Sequence, residues 1–88
     1  MARGDQVVVR TYGDKPRIRR VWDVFEDSIL IVTDENYQKL TAGVAGLWPV
    51  ALDPDDVFVY NPATFPAETE GVPQPEAFWA RLRPYRAL

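Results

Sequence analysis

Residues 17–33 read RIRRVWDVFEDSILIVT, and this stretch decides the fold class of the chain. Two runs rich in β-branched and aromatic residues, which favour strands, flank a short acidic connection at Glu26–Asp27. We interpret Arg17–Phe25 and Ser28–Thr33 as two antiparallel strands joined by a tight turn. The strongest local signal in the sequence is therefore a β-hairpin.

Three further strands are predicted on either side of this hairpin. Gln6–Tyr12 precedes it, and Trp48–Leu52 and Val57–Tyr60 follow it, each short and rich in β-branched or aromatic residues. Between the last two, Asp53–Asp56 begins with an aspartate that can cap a helix and a proline that suits its first turn. We expect a single helical turn there, and capping explains these aspartates without a bound metal.

The segment 34–42, which comes directly after the hairpin, has two interpretations. Acidic residues begin it at Asp34, Lys39 lies near its end and Gly43 follows it, an order that matches the helix dipole and a glycine C-cap. This order favours a short helix. The alternative is a hairpin loop at 34–36 that leads into another strand.

This order of elements resembles the SH3-like small β-barrel. Five short strands, with one helical turn between the fourth and the fifth, cover residues 4–61. The resemblance implies a mainly β, five-stranded barrel with a short helix or turn at 34–42. No ligand-binding motif of a particular SH3-like family is matched, so the resemblance implies a fold and not a partner.

The chain changes character after residue 61. Residues 62–75 contain four prolines and one glycine, which predicts an extended linker. Residues 1–61 are expected to form the small β-barrel. Residues 76–88 are expected to form a short amphipathic helix and tail that pack on a barrel. The apolar residues that share one face of this helix are Phe78, Trp79 and Leu82.

The predicted strands are apolar on both faces. In strand two, Val21 and Phe25 point one way while Trp22 and Val24 point the other, and strand three is apolar on both faces as well. The interior of one small barrel covers only one face, so another element has to cover the second. The expected partner or self-association surface comprises Trp22, Leu30, Val32, Phe78, Trp79 and Leu82.

Three arrangements would cover this second face. The C-terminal helix docks on its own barrel, or exchanges with a second copy to give a homodimer, or leaves the face to another protein. Burying the apolar side chains of the helix is worth about 10 kcal/mol gross at about 25 cal/mol per Å². Ordering the linker opposes this by about 1 kcal/mol or more per residue, so the sequence leaves all three arrangements open.

Two further binding surfaces can be drawn from the sequence. Aromatic residues in loops and at strand ends form a candidate groove for an extended or proline-rich peptide, namely Tyr12, Tyr37, Trp48 and Tyr60. Basic residues of the first two strands form a candidate strip for single-stranded nucleic acid, namely Arg10, Arg17, Arg19 and Arg20. Nucleic acid is nevertheless not expected as a partner, because the net charge is −3 and residues 34–76 carry eight acids against one lysine.

Composition narrows the chemistry that we expect of this chain. It has no cysteine and no histidine, which removes disulfides, thiolate catalysis and the commonest general base at neutral pH. No nucleophile elbow or phosphate loop is found, and no apolar run approaches the roughly 20 residues of a membrane span. We predict a cytoplasmic, non-enzymatic protein-interaction or self-association module with no cofactor, whose partner is another protein or a second copy of itself.

Overall fold

The hairpin of residues 17–33 lies at the centre of a five-stranded antiparallel sheet in the computed structural model, which describes all 88 residues. The strands are β1 Gln6–Thr11, β2 Lys15–Val24, β3 Ile29–Val32, β4 Val50–Leu52 and β5 Val57–Val59. The helices are α1 Asp34–Thr41 and α2 Glu76–Ala80, with single 3-10 turns at Pro54–Asp56, Ala67–Thr69 and Tyr85–Ala87. The predicted mainly β class is confirmed, and none of the helices has the length and apolar character needed to cross a bilayer.

A β-bulge at Trp22 changes which side chains of β2 face the same way. Val21 pairs with Ile31, but Asp23 pairs with Leu30, so Trp22 is an extra residue without its own partner. Simple alternation places Val21 and Val24 on opposite faces, and this expectation is wrong. The bulge resets the alternation, and both valines pack into the same core.

The helix predicted for the segment 34–42 is confirmed as α1. Thr33 caps its N-terminus, where the hydroxyl oxygen accepts a hydrogen bond from the backbone N–H of Asn36 at 3.1 Å. Glu35 and Lys39 form an ion pair one turn apart at 3.1 Å. Capping and dipole complementarity together favour the helix over the alternative strand.

The sheet does not close into a barrel. Its strand order is β4-β3-β2-β1-β5, and β4 and β5 lie at opposite edges without pairing to each other. Part of the reason is that the C-terminal chain occupies the free edge of β5, where Val59 donates a backbone hydrogen bond to the Arg83 carbonyl at 2.8 Å. Phe58 and Pro84 form an isolated β-bridge beside it.

Each face of the sheet carries its own apolar core. Successive residues of β1 point to opposite sides, so Val7 and Val9 face one core and Val8 faces the other. We call the first the inner face, where Tyr85 packs against buried residues of β1, β2, β3 and β5. The second is the outer face. There, Phe65 and three residues of the C-terminal segment (residues 76–88), namely Phe78, Trp79 and Leu82, cover β1 and β5.

The segment 62–75 differs from the extended linker that its prolines predict. It contains a 3-10 turn at Ala67–Thr69 and then runs beside the first half of β2. Gly71 donates a backbone hydrogen bond to the Pro16 carbonyl at 2.8 Å, and Gln74 donates one to the Asp14 carbonyl at 2.9 Å. This half of β2 has a free edge because β3 pairs only with residues 20–24, so the segment satisfies backbone groups that β3 leaves unpaired.

Candidate interaction surface

The C-terminal segment covers the outer face of its own chain. Trp79 is only 3% exposed, and its ring centroid lies 5.4 Å from that of Phe58 on β5. Phe65 is buried in the same cluster, and Phe78 and Leu82 are half-buried around it. The indole Nε1 of Trp79 is buried without a hydrogen-bond partner, so shape and apolar contact hold this ring in place.

A group of charged contacts centred on Arg10 lies over this cluster. The guanidinium carbon of Arg10 is 5.0 Å from the centre of the Trp79 ring, within the range of a cation–π contact. The same guanidinium binds Glu76 at 2.9 Å and Asp14 at 3.0 Å. The hydrogen bond from Arg10 lowers the pKa of the Glu76 carboxyl and raises the pKa of Arg10 itself. These contacts connect β1 to the first turn of α2.

The structure divides the six residues predicted as one partner surface between two places. Trp22, Leu30 and Val32 are not part of the cluster around Trp79. Trp22 instead packs edge-on against Tyr37 of α1, with ring centroids 5.9 Å apart. The strand order explains why these residues are separated from Trp79. The end of β2 and the strand β3 lie beside α1, whereas the C-terminal segment covers β1 and β5.

The four aromatic residues predicted to line a peptide groove do not come together. Tyr12 is fully exposed in the turn after β1, and Tyr37 packs on Trp22 near the sheet. Tyr60 packs edge-on against Phe65, 5.6 Å away, at the end of β5. Trp48 lies in the loop before β4, so each of the four belongs to a different part of the surface.

The four arginines predicted as a nucleic-acid strip are also divided. The register of β1 and β2 directs Arg17 and Arg19 towards the inner-face side, and Arg10 and Arg20 towards the outer-face side. Arg20 forms an ion pair with Asp34, and Arg10 is held by two carboxylates. Burial lowers the pKa of the Arg19 guanidinium. Two of the four charges are therefore already neutralised within the chain.

Tyr85 joins the two ends of the chain beneath the inner face. Its hydroxyl donates to the Asp5 carboxylate at 2.6 Å and accepts from the backbone N–H of Ala2 at 3.1 Å. Burial and this hydrogen bond raise the pKa of Tyr85 to about 12, and the same bond lowers the pKa of Asp5. The arrangement is structural, because the hydroxyl is enclosed by the partners that it binds. Tyr85, which comes after Pro84 in the tail, was not among the residues predicted from the sequence.

The largest apolar element left uncovered is the stretch AGVAGLWPVAL at residues 42–52, which we call the open-edge segment. It has eleven residues without a charged side chain, and Trp48 within it is 85% exposed. Val50, in β4, is 57% exposed. β4 pairs with β3 only, so its other edge presents backbone groups that no strand satisfies.

The sequence predicted Trp48 as a groove residue and Trp48–Leu52 as a barrel strand, and the open-edge segment was missed as a unit. The available signal was the length of the uncharged run between Lys39 and Asp53. A strand in a closed barrel has a neighbour on both sides, so the barrel interpretation implied that this run was covered. The open sheet leaves it at the surface.

None of the cavities in the structure brings a whole set of predicted binding residues together, although Phe78 and Leu82 line one of them. The largest, of about 280 Å³, lies between the end of β5 and the C-terminal segment and is lined by Phe65, Leu82, Arg81 and Arg83, among others. Comparisons with known protein families, characterised proteins and solved structures find no match to this chain. The exposure of Trp48 and the unpaired edge of β4 make the open-edge segment the candidate interaction surface of the molecule.

Proposed function

We propose that this chain is a non-enzymatic protein-interaction module that binds through the open-edge segment. The observation that carries the proposal is the 85% exposure of Trp48 within eleven uncharged residues that end at an unpaired strand edge. Contiguous exposed apolar surface on a small domain marks interaction sites, because its exposure to water is unfavourable.

The scaffold in this proposal is an SH3-like small β-fold. Two observations support it: the strand order β4-β3-β2-β1-β5 and the 3-10 turn at Pro54–Asp56 just before β5. Asp53 caps that turn, and its carboxylate accepts a hydrogen bond from the backbone N–H of Asp55 at 2.9 Å. The missing β4–β5 ladder is the difference from a closed barrel, and it creates the free edge that the proposed function uses.

The chemistry of this surface favours an extended, apolar partner. Unpaired N–H and C=O groups along β4 can bind a strand from another chain by main-chain hydrogen bonds. Trp48 and Val50 offer apolar contacts beside that edge, and Pro49 between them restricts the backbone. Main-chain bonds supply affinity in this mode, and the side chains beside the edge supply selectivity.

Single-stranded nucleic-acid binding, the alternative that the arginine content suggests, has less support. It needs cations on one connected surface, whereas Arg10 and Arg20 are paired with carboxylates and the register separates them from Arg17 and Arg19. A titration of the full chain with a single-stranded oligonucleotide at low salt tests it. Measurable binding that weakens steeply with salt would favour this alternative.

The interaction function is tested by photo-crosslinking in cells that express the full chain. A photoreactive phenylalanine analogue replaces Trp48 in one variant and Tyr12 in the matched control, because Tyr12 is the most exposed aromatic residue outside the segment. We expect protein adducts from position 48 at several times the yield from position 12. Equal yields at the two positions would contradict an interaction site at the open-edge segment.

A further inference from the structure

We infer that the partner of the open-edge segment is a second copy of this chain, bound by antiparallel pairing of the two β4 edges. This inference rests on the proposed interaction function and adds the identity of the occupant. It differs from exchange of the C-terminal helix, because Trp79 and its neighbours are already buried on their own sheet.

The geometry of a free edge strand suits a two-fold symmetric contact. Two copies of the same strand that meet edge to edge around a two-fold axis run antiparallel. An axis at Ala51 places Val50 of one chain opposite Leu52 of the other and joins the sheets of both copies into one. Only β4 can do this, because residues 83–84 already occupy the outer edge of β5.

The charge distribution permits two copies to meet at this surface. The chain is acidic, with eight acids against one lysine in residues 34–76, so most contacts between copies in this region would bring like charges together. The eleven residues of the open-edge segment carry none of these charges. An uncharged apolar patch is complementary to itself, whereas selection of a different partner generally uses charges for steering and register.

The exposed area is sufficient for a weak dimer. Trp48, 85% exposed, presents roughly 200 Å² of surface. With Val44, Val50 and the small residues of the segment, each copy offers roughly 500 Å², and two copies reach roughly the 1,000 Å² that a specific interface needs. β4 has only three residues and so forms few hydrogen bonds across the axis. We therefore expect a dimer that dissociates on dilution, in about the micromolar range.

Sedimentation equilibrium on the full chain tests this inference. The average mass should rise from the 10.0 kDa of one chain in dilute solution to twice that value at about millimolar concentration. Val50→Lys places a charge on the edge, and in the dimer the two lysines lie diagonally across the two-fold axis on the same face of the joined sheet, so we expect the dissociation constant to increase at least 10-fold. Trp48→Ser should weaken the dimer in the same direction, and Tyr12→Ser, at an exposed aromatic residue elsewhere, should leave it unchanged.

Circular dichroism of each variant establishes that the fold is intact before the masses are compared. A wild-type chain that stays at 10.0 kDa throughout would overturn the inference. Crosslinks from position 48 to a different protein would then still support the interaction function, so the two failures can be told apart. A dimer that persists unchanged in Val50→Lys and Trp48→Ser would also overturn edge pairing and would mean that another surface holds the two copies together.

Discussion

Trp79 and Trp48 differ greatly in exposure, because the chain covers the β5 side of its sheet and leaves the β4 side uncovered. Trp79 is 3% exposed and lies on β1 and β5, where the last part of the chain returns to cover the outer face. Trp48 is 85% exposed beside β4, where no segment of the chain covers it. The β5 side is thus closed by the chain itself, and the β4 side is left open.

The difference lies in the segments that adjoin each edge strand. After β5 the chain continues for 29 residues, from Tyr60 to Leu88, and these pair with the β5 edge and with the free half of β2. Before β4 the chain has only the eight uncharged residues 42–49 that follow α1, and most of them are themselves exposed. A small domain buries a limited share of its surface, so the segments that cover it determine which apolar residues remain available for binding.

The largest expected effect is on the closed side. Trp79→Ala should lower the free energy of unfolding by about 3–5 kcal/mol, because it removes a buried aromatic ring and leaves a cavity above Phe58 and Val8. Urea denaturation followed by circular dichroism measures this loss. A loss below about 1 kcal/mol would mean that the C-terminal cover contributes little to stability and that the two sides of the sheet are more alike than the structure indicates.

Trp79→Phe is the matched control for this prediction. It keeps an aromatic ring against Phe58 and removes the indole N–H, which is buried without a partner. An unsatisfied buried donor costs about 1–3 kcal/mol, so its removal offsets part of the stability that is lost with the smaller ring. We expect a change in stability of less than about 1.5 kcal/mol. Equal losses for the two variants would indicate that ring packing is not what stabilises the cover.

The second prediction concerns the turn that fixes the end of the C-terminal segment. Tyr85→Phe removes a hydroxyl that donates to Asp5 at 2.6 Å and accepts from Ala2 at 3.1 Å. Because the acceptor is ionised and the ring is buried, we expect a loss of about 2 kcal/mol at neutral pH. Thermal denaturation at pH 7 measures it. An unchanged midpoint would mean that water replaces the hydroxyl at no cost.

The same pair predicts a pH dependence with a definite sign. The pKa of Asp5 is lowered from 3.8 in the folded chain, so its contribution is present above that pH and is lost as the pH falls further. The pKa of Tyr85 is raised from 10.0 to about 12, so its contribution is present below pH 10 and is lost between pH 10 and 12. Tyr85→Phe should therefore make the free energy of unfolding less dependent on pH, both below pH 3.8 and between pH 10 and 12.

The parts of the fold that local sequence determines were predicted well. Five strands, the helix at 34–42 and the turn at Asp53–Asp56 are all consequences of propensity, capping and turn residues. The sequence also indicated that the strands are apolar on both faces. Each of these features depends on residues that lie within one turn or one strand of each other. Contacts with distant parts of the sequence are therefore not needed to predict it.

The features that were missed depend on remote contacts. Nothing near Trp22 in the sequence marks it as the extra residue of a bulge, because the bulge is defined by the register of β3. Four prolines suggested an extended linker at 62–75, whereas the free half of β2 offers that segment hydrogen bonds such as the one from Gly71 to Pro16. The open-edge segment was missed because its exposure depends on whether β4 and β5 pair.

The smallest expected effect on stability is on the open side. At concentrations at which the inferred dimer would be dissociated, Trp48→Ser should change the free energy of unfolding by less than about 0.5 kcal/mol, because removal of an exposed ring costs few packing contacts. The same variant should lose most of the tryptophan emission that acrylamide quenches, since Trp79 is buried and Trp22 is half-buried. Quenching of the dilute wild-type chain therefore reports on the exposure of Trp48 directly. If the variant is instead destabilised as much as Trp79→Ala, position 48 is packed in the folded monomer, and the contrast between the closed and open sides no longer holds.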